Sequence, residues 1–150
     1  MDILKLVIYG TIGAAGFAIL FYIKPKHVPL AALGGAIATF VYAVTDMLGV
    51  DLFVSNFLAT LVCVVYANLL ARAMKTPSLV FITASIIPLV PGGSLFYTMS
   101  NIILGDSAAA RIYGLNTLKI ALGIAGGIVI ESLVVSIMSK IFHPKKLSGQ

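Results

Sequence analysis

Charge is scarce in this 150-residue chain: charged residues make up 10%, and only five of them are acidic. No polar stretch is long enough for a soluble catalytic domain, which argues against ATP hydrolysis by the chain itself. Neither an H-E-x-x-H nor a G-x-S-x-G pattern occurs, and no two acidic residues share an apolar run. The constellations of zinc proteases, serine hydrolases and paired-carboxylate enzymes are therefore missing. His27 and His143 fall in flanking segments. No enzyme activity, cofactor or metal is expected. Cys63 is the only cysteine, so it forms no internal disulfide, and its position inside an apolar run reads as packing.

What the chain has instead is apolar surface, with 60% hydrophobic residues and a mean hydropathy of +1.10. That is the composition of an integral membrane protein. Five runs are long enough to cross a bilayer: residues 3–23, 28–49, 52–71, 79–104 and 115–141. The last is over-long, and is tilted or extends past the hydrocarbon. The expected fold is all-α, a polytopic membrane protein of five transmembrane helices forming one domain over residues 1–150.

The net charge of +5 and pI near 9.5 raise the question of nucleic acid. The basic residues flank the spans and form no patch, so no nucleic-acid partner is expected. Lys24, Lys26, Arg72, Lys75, Lys140, Lys145 and Lys146 fall on one side of the membrane. Lys5, Arg111 and Lys119 fall on the other, together with Asp2, Asp46, Asp51 and Asp106. Asp46 and Asp51 flank a Gly49 turn and read as solvated. The positive-inside rule places the N-terminus outside and the C-terminus in the cytoplasm of a multi-pass cell-membrane (plasma or inner-membrane) protein. The first run is too long for a signal-peptide core and is followed by lysines, so it reads as a retained helix.

The fourth run is broken at its centre by Pro88-Leu89-Val90-Pro91-Gly92-Gly93. Each proline removes a donor and clashes with the preceding turn, at about 3 kcal/mol in a helix interior, and each glycine adds about 1 kcal/mol. Ile87 and Val90, which precede the prolines, are pushed out of the helical region, so an unwound segment is expected rather than a kink. Carbonyls freed near the midplane cannot face lipid and must line a cavity or be covered. The second half-helix, from Ser94, has its N-terminus there. Its free amides and dipole suit an anionic group, with Ser94, Tyr97 and Thr98 supplying hydroxyls. The competing reading is a structural kink satisfied by neighbouring helices.

Other features are packing signals first. Gly10, Gly13 and Gly16 are spaced by three along the first run, and Gly34 and Gly35 lie in the second; small residues let helices approach closely in lipid. Asn56, Thr60, Cys63 and Ala67 share one face of the third run, where interhelical hydrogen bonding competes with substrate contact. Thr76-Pro77 reads as cap and first position of the fourth helix. Asp106 reads as the cap of a separate turn or two over Ser107 to Tyr113.

Glu131 lies sixteen residues into the last run, about 24 Å along it. No Lys or Arg shares that depth, and burial without a cation disfavours the charged form. A proton carrier needs that behaviour, but so does a structural carboxylic acid hydrogen-bonded to a neighbour. Asn116, Lys119, Gly123, Gly127 and Glu131 fall on one helix face, which either lines a pathway beside the break or forms a close helix contact. Lys119 either snorkels to headgroups or meets an anionic solute.

The stretch Thr76-Pro77-Ser78, then Ile86-Ile87-Pro88-Leu89-Val90-Pro91-Gly92-Gly93-Ser94-Leu95-Phe96-Tyr97, Gly105-Asp106 and Tyr113-Gly114-Leu115-Asn116-Thr117-Leu118 resembles the threonine/serine exporter family, in particular the short membrane subunit of its split members. The resemblance implies ion-driven export of small amino acids or, in related split pairs, of a dicarboxylate such as succinate. It also implies a larger partner subunit of the same family. Pro88, Pro91, Gly92, Gly93, Asp106 and Asn116 match as motif positions, without assigned roles. Five helices are few to enclose a path, which independently favours a partner or homo-oligomerisation; an odd number of spans per half makes a duplicate inverted, as in many transporters. The alternative function is a non-transporting assembly subunit that stabilises a membrane partner.

Overall fold

The computed structural model describes residues 2–142, with side chains through residue 137. His143, Lys145 and Lys146 lie outside the described residues, as does the side chain of Lys140. Six α-helices account for nearly all of the described residues: α1 Ile3–Leu20, α2 Val28–Met47, α3 Leu52–Met74, α4 Leu79–Ile86, α5 Gly92–Ile103 and α6 Ser107–Phe142. Four of them are long and apolar enough to cross a membrane, and α4 with α5 forms a fifth, bent span.

Local chemistry sets the boundaries. The first helix stops at Leu20 because Tyr22 is left-handed (φ 56°) and Pro25 follows, opening a 3₁₀ turn that leads into α2. Gly49, at φ 71°, turns the chain after α2. Asp51 then caps α3, accepting a hydrogen bond from the Phe53 amide at 2.9 Å. At the far end of α3, Lys75 is left-handed, and the Thr76 amide donates to the Ala71 carbonyl at 3.0 Å. This is the Schellman arrangement. It corrects the expectation for Thr76: the residue closes α3 and does not cap α4, which starts at Leu79 behind Ser78.

Asp106 is a cap, accepting from the Ala109 amide at 3.0 Å. The helix it caps is not a short surface piece, however. Residues 107–113 are the first two turns of the 36-residue α6. Gly114 alone is too weak a breaker, at about 1 kcal/mol, to separate them.

The centre of the packing is α2, held between α1, α3 and α4. Gly35 receives Ala14 and the Gly10 carbonyl of α1, and Gly34 receives Ser85 of α4. The Ser85 hydroxyl donates to the Ala31 carbonyl at 3.0 Å, and Cys63 approaches the Gly34 carbonyl at 3.8 Å. The buried stripe of α1 is Gly10, Ala14 and Ala18; a Cβ added at Gly13 or Gly16 would meet nothing within 4 Å. Steps of three drift by about 60° each around a 3.6-residue helix, so Gly16 lies about 120° from Gly10, whereas steps of four stay closer to one line. Asn56, Thr60, Cys63 and Ala67 do form one buried face of α3. Against it lie Gly123, whose Cβ position is 2.6 Å from the Phe53 carbonyl, and Gly127, whose Cβ position is 3.0 Å from that of Phe57. These two glycines of α6 thus serve a close helix contact with α3.

Candidate functional site at the helix break

The fourth span is interrupted where its prolines fall. After α4 the chain tightens into a 3₁₀ turn, Ile87–Leu89, then becomes extended at Val90 (ψ 132°) and passes Pro91 before α5 begins at Gly92. The two halves meet at 48°. Pro88 is ten residues into the span, about 15 Å along it, which is the middle of a hydrocarbon core about 30 Å thick.

Beside the break is a cavity of about 570 Å³ to which α1, α2, α3, α5 and α6 all contribute. The break supplies Pro88, Leu89, Val90 and Pro91, and the start of α5 supplies Gly93, Ser94 and Tyr97. Facing them are Thr39 and Tyr42 of α2, Asn56 of α3, and Tyr113 of α6; Leu6 and Ile120 complete the wall. No Asp, Glu, Lys, Arg or His lines it.

Its polarity comes from donors that the fold leaves free. The Gly92 amide donates to the Val90 carbonyl at 2.8 Å and the Leu95 amide to the Pro91 carbonyl at 2.9 Å. The Gly93 and Ser94 amides, in the first turn between them, have no acceptor among the described residues, as helix geometry requires of first-turn donors. They stand at the positive end of α5. The hydroxyls of Tyr42, Ser94, Tyr97 and Tyr113 also make no hydrogen bond among the described residues. Thr39 is satisfied by its own helix, donating to the Gly35 and Ala36 carbonyls at 2.8 and 3.1 Å, and Asn56 donates to the Leu52 carbonyl at 2.8 Å. The rings of Tyr97 and Tyr113 pack at 5.2 Å.

Of the residues singled out in the sequence, the fold thus brings Pro88, Pro91, Gly93, Ser94 and Tyr97 to one cavity. Gly92 begins α5 without lining it, and Asn116 does not line it. Lys119 pairs with Asp51 at 2.7 Å, each side chain about half exposed. The Lys119 hydrogen bond, aided by the Phe53 amide, holds the Asp51 carboxyl below the usual carboxylate range. Asp51 therefore caps α3 and pairs with Lys119 as well as being solvated. Glu131 is buried at 3% exposure between α6 and α3, where the Asn68 side-chain amide donates to its Oε1 at 2.6 Å; it too is absent from the cavity wall.

Thr39 and Tyr42 went unmarked in the sequence. The available signal was slight: two polar residues three apart, one turn beyond the Gly34-Gly35 pair.

A family model described as "Threonine/Serine exporter, ThrE" matches residues 6–134. The chain belongs to the threonine/serine exporter family. Membership covers every helix that builds the cavity and makes this a multi-pass membrane protein of an exporter family. No curated protein and no solved structure matches the chain. In this exporter-family chain the broken span is the place where unpaired backbone donors meet a cavity.

Proposed function

We propose that the chain is the short membrane subunit of a two-component secondary exporter, working with a larger subunit of the same family, and that the cavity at the break is its part of the solute site. The observation that carries the reading is the pair of free amides, Gly93 and Ser94, facing a neutral, hydroxyl-rich cavity. A carboxylate docks on the amides and the dipole of α5. The faces of Tyr42, Tyr97 and Tyr113 suit an ammonium group. One anion seat beside three aromatic rings favours threonine or serine over a dicarboxylate such as succinate, whose second carboxylate would meet no cation. The N-terminus is outside and the C-terminus cytoplasmic in this reading.

Glu131 is the candidate for proton coupling, with Asn68 positioning its carboxyl. Its bond to Asn68 and its distance from the cavity wall also favour a second reading, in which it holds α3 to α6 in a subunit that only stabilises its partner. Efflux of labelled threonine, serine and succinate from proteoliposomes containing both chains, with and without a proton gradient, tests these readings. Gradient-driven threonine or serine efflux that vanishes when either chain is omitted is expected. Full flux from this chain alone would sink the two-component assignment, and efflux of succinate alone would sink the amino-acid assignment. For Glu131→Gln, which keeps an oxygen for Asn68, lost gradient dependence with normal complex yield supports coupling; gradient-dependent efflux left unchanged supports the structural role.

A further inference from the structure

A second cavity, of about 510 Å³, lies at the opposite end of the bundle from the Gly49 and Gly105 turns, where the end of α1, the turn before α2 and the α3–α4 connection meet. Two polar atoms on its lining residues are buried without partners among the described residues: Nδ1 of His27 and Oγ1 of Thr76. The His27 side chain is only 3% exposed, and its ring stands edge-on to Phe81 at 5.5 Å. A buried polar atom left unpaired costs about 1–3 kcal/mol, and here two such atoms, from separate connections, belong to residues that line one cavity. That pattern marks a place built for a guest.

Charge identifies the guest's sign. Lys24 lines the exposed edge of the cavity, Lys26 and Lys75 lie in the same connections, and Arg72 is in the last turn of α3. No acidic residue lines it, and Asp2, Asp46, Asp51 and Asp106 are all at the other end of the helices. The remaining wall identifies its shape. Phe21, Ile23, Pro77, Leu79 and Val80 make it largely apolar. The cavity sits where the spans end, with Tyr22 fully exposed beside it as interfacial aromatics are. A free small anion would leave that apolar wall uncovered; an amphiphile fills both parts.

We propose that this cavity seats an anionic phospholipid, its phosphate held by His27 Nδ1–H, Thr76 Oγ1–H and the Lys24 ammonium, and the start of an acyl chain lying against Phe21, Leu79 and Val80. The seat is independent of the transport reading. Native mass spectrometry of the full chain in detergent, titrated with phosphatidylglycerol or with phosphatidylcholine, tests it. Phosphatidylglycerol should bind about tenfold more tightly, and the near-isosteric Thr76→Val and the exposed Lys24→Gln should each remove most of that preference, as loss of a charge-assisted hydrogen bond does. Lys5→Gln, at the other end, is the control and should leave it intact. Equal binding of the two lipids overturns the proposal, as does a preference that survives both substitutions. Displacement of phosphatidylglycerol by millimolar inorganic phosphate or threonine would also overturn it, in favour of a free-anion site.

Discussion

The two halves of the fourth span make one apolar run in sequence, but α4 is polar only at Thr83 and Ser85 whereas α5 carries Ser94, Thr98, Ser100 and Asn101, and their surroundings differ as well. In α4, Phe81, Ala84, Ser85 and Ile86 are buried, and the helix is wedged between α2 and α3. In α5 no residue is buried, and its packing is chiefly on α6, through Tyr97 against Tyr113 and Thr98 against Gly114. One half is core and the other is a wall. Hydropathy ranks them in that order yet does not say what covers each, because lipid accepts an uncovered apolar face that water would not. The difference teaches that the prolines divide an anchored segment from one that is free to serve a cavity.

Substitution at matched glycines is the hardest test of that contrast. Gly34→Leu drives a side chain into Ser85 of α4 and should destabilise the chain by about 3 kcal/mol, overpacking at the upper end of its usual range; thermal unfolding in detergent measures it. At Gly93 an added Cβ meets no atom within 4 Å, so Gly93→Leu should change stability by less than about 0.5 kcal/mol, as for other surface sites. Reconstituted efflux should nevertheless fall sharply, because the new side chain fills the cavity. A Gly93 variant as unstable as the Gly34 variant would erase the distinction between the halves.

Asn68→Leu strips the buried Glu131 of its donor and should cost about 1–3 kcal/mol, with Glu131→Gln nearly neutral because the glutamine oxygen still accepts from Asn68. Denaturation midpoints of the pair check this; equal losses would mean that the hydrogen bond is not what holds Glu131. Ser85→Ala removes the anchor of α4 to the Ala31 carbonyl and should cost about 0.6 kcal/mol, the average for interhelical hydrogen bonds in membranes.

The smallest effect is at the exposed pair that ties α6 to the α2–α3 turn. The folded-state pKa of Asp51 is lowered, so its contribution is complete above the ordinary value of 3.8 and is lost as pH falls through the lowered one. Stability should be flat from this source near neutrality and decline only in strong acid. Lys119→Gln should remove most of that acid dependence, with little change at pH 7; a pH series of melting temperatures decides it.

Much of this was legible because it is local. The Pro88 to Gly93 break, the five spans, the Asp106 cap and the packing role of Cys63 all follow from neighbouring residues and helix period. What escaped was set by distance along the chain. Lys119 and Asp51 are 68 residues apart, and Glu131 and Asn68 are 63 apart, and nothing in either segment names its partner. Thr39 and Tyr42 reach the cavity only because Gly10 and Gly35 let α1 and α2 close on each other. The Gly10-Gly13-Gly16 spacing misled because three is a poorer match than four to the turn of a helix when the contact runs over two turns.

The length of α6 has a mechanical consequence. At 1.5 Å per residue its 36 residues measure about 54 Å, well beyond a hydrocarbon core about 30 Å thick. It touches α3 most closely at Gly123 and Gly127, where the absence of side chains makes a fulcrum, and it bears α5 near its other end. From Gly123 to Tyr113 the arm is about 15 Å. A rocking of about ten degrees moves Tyr113 by roughly 2.6 Å over that arm, enough to widen or pinch the space between the α6 wall and the break, while α4, clamped in the core, stays where it is.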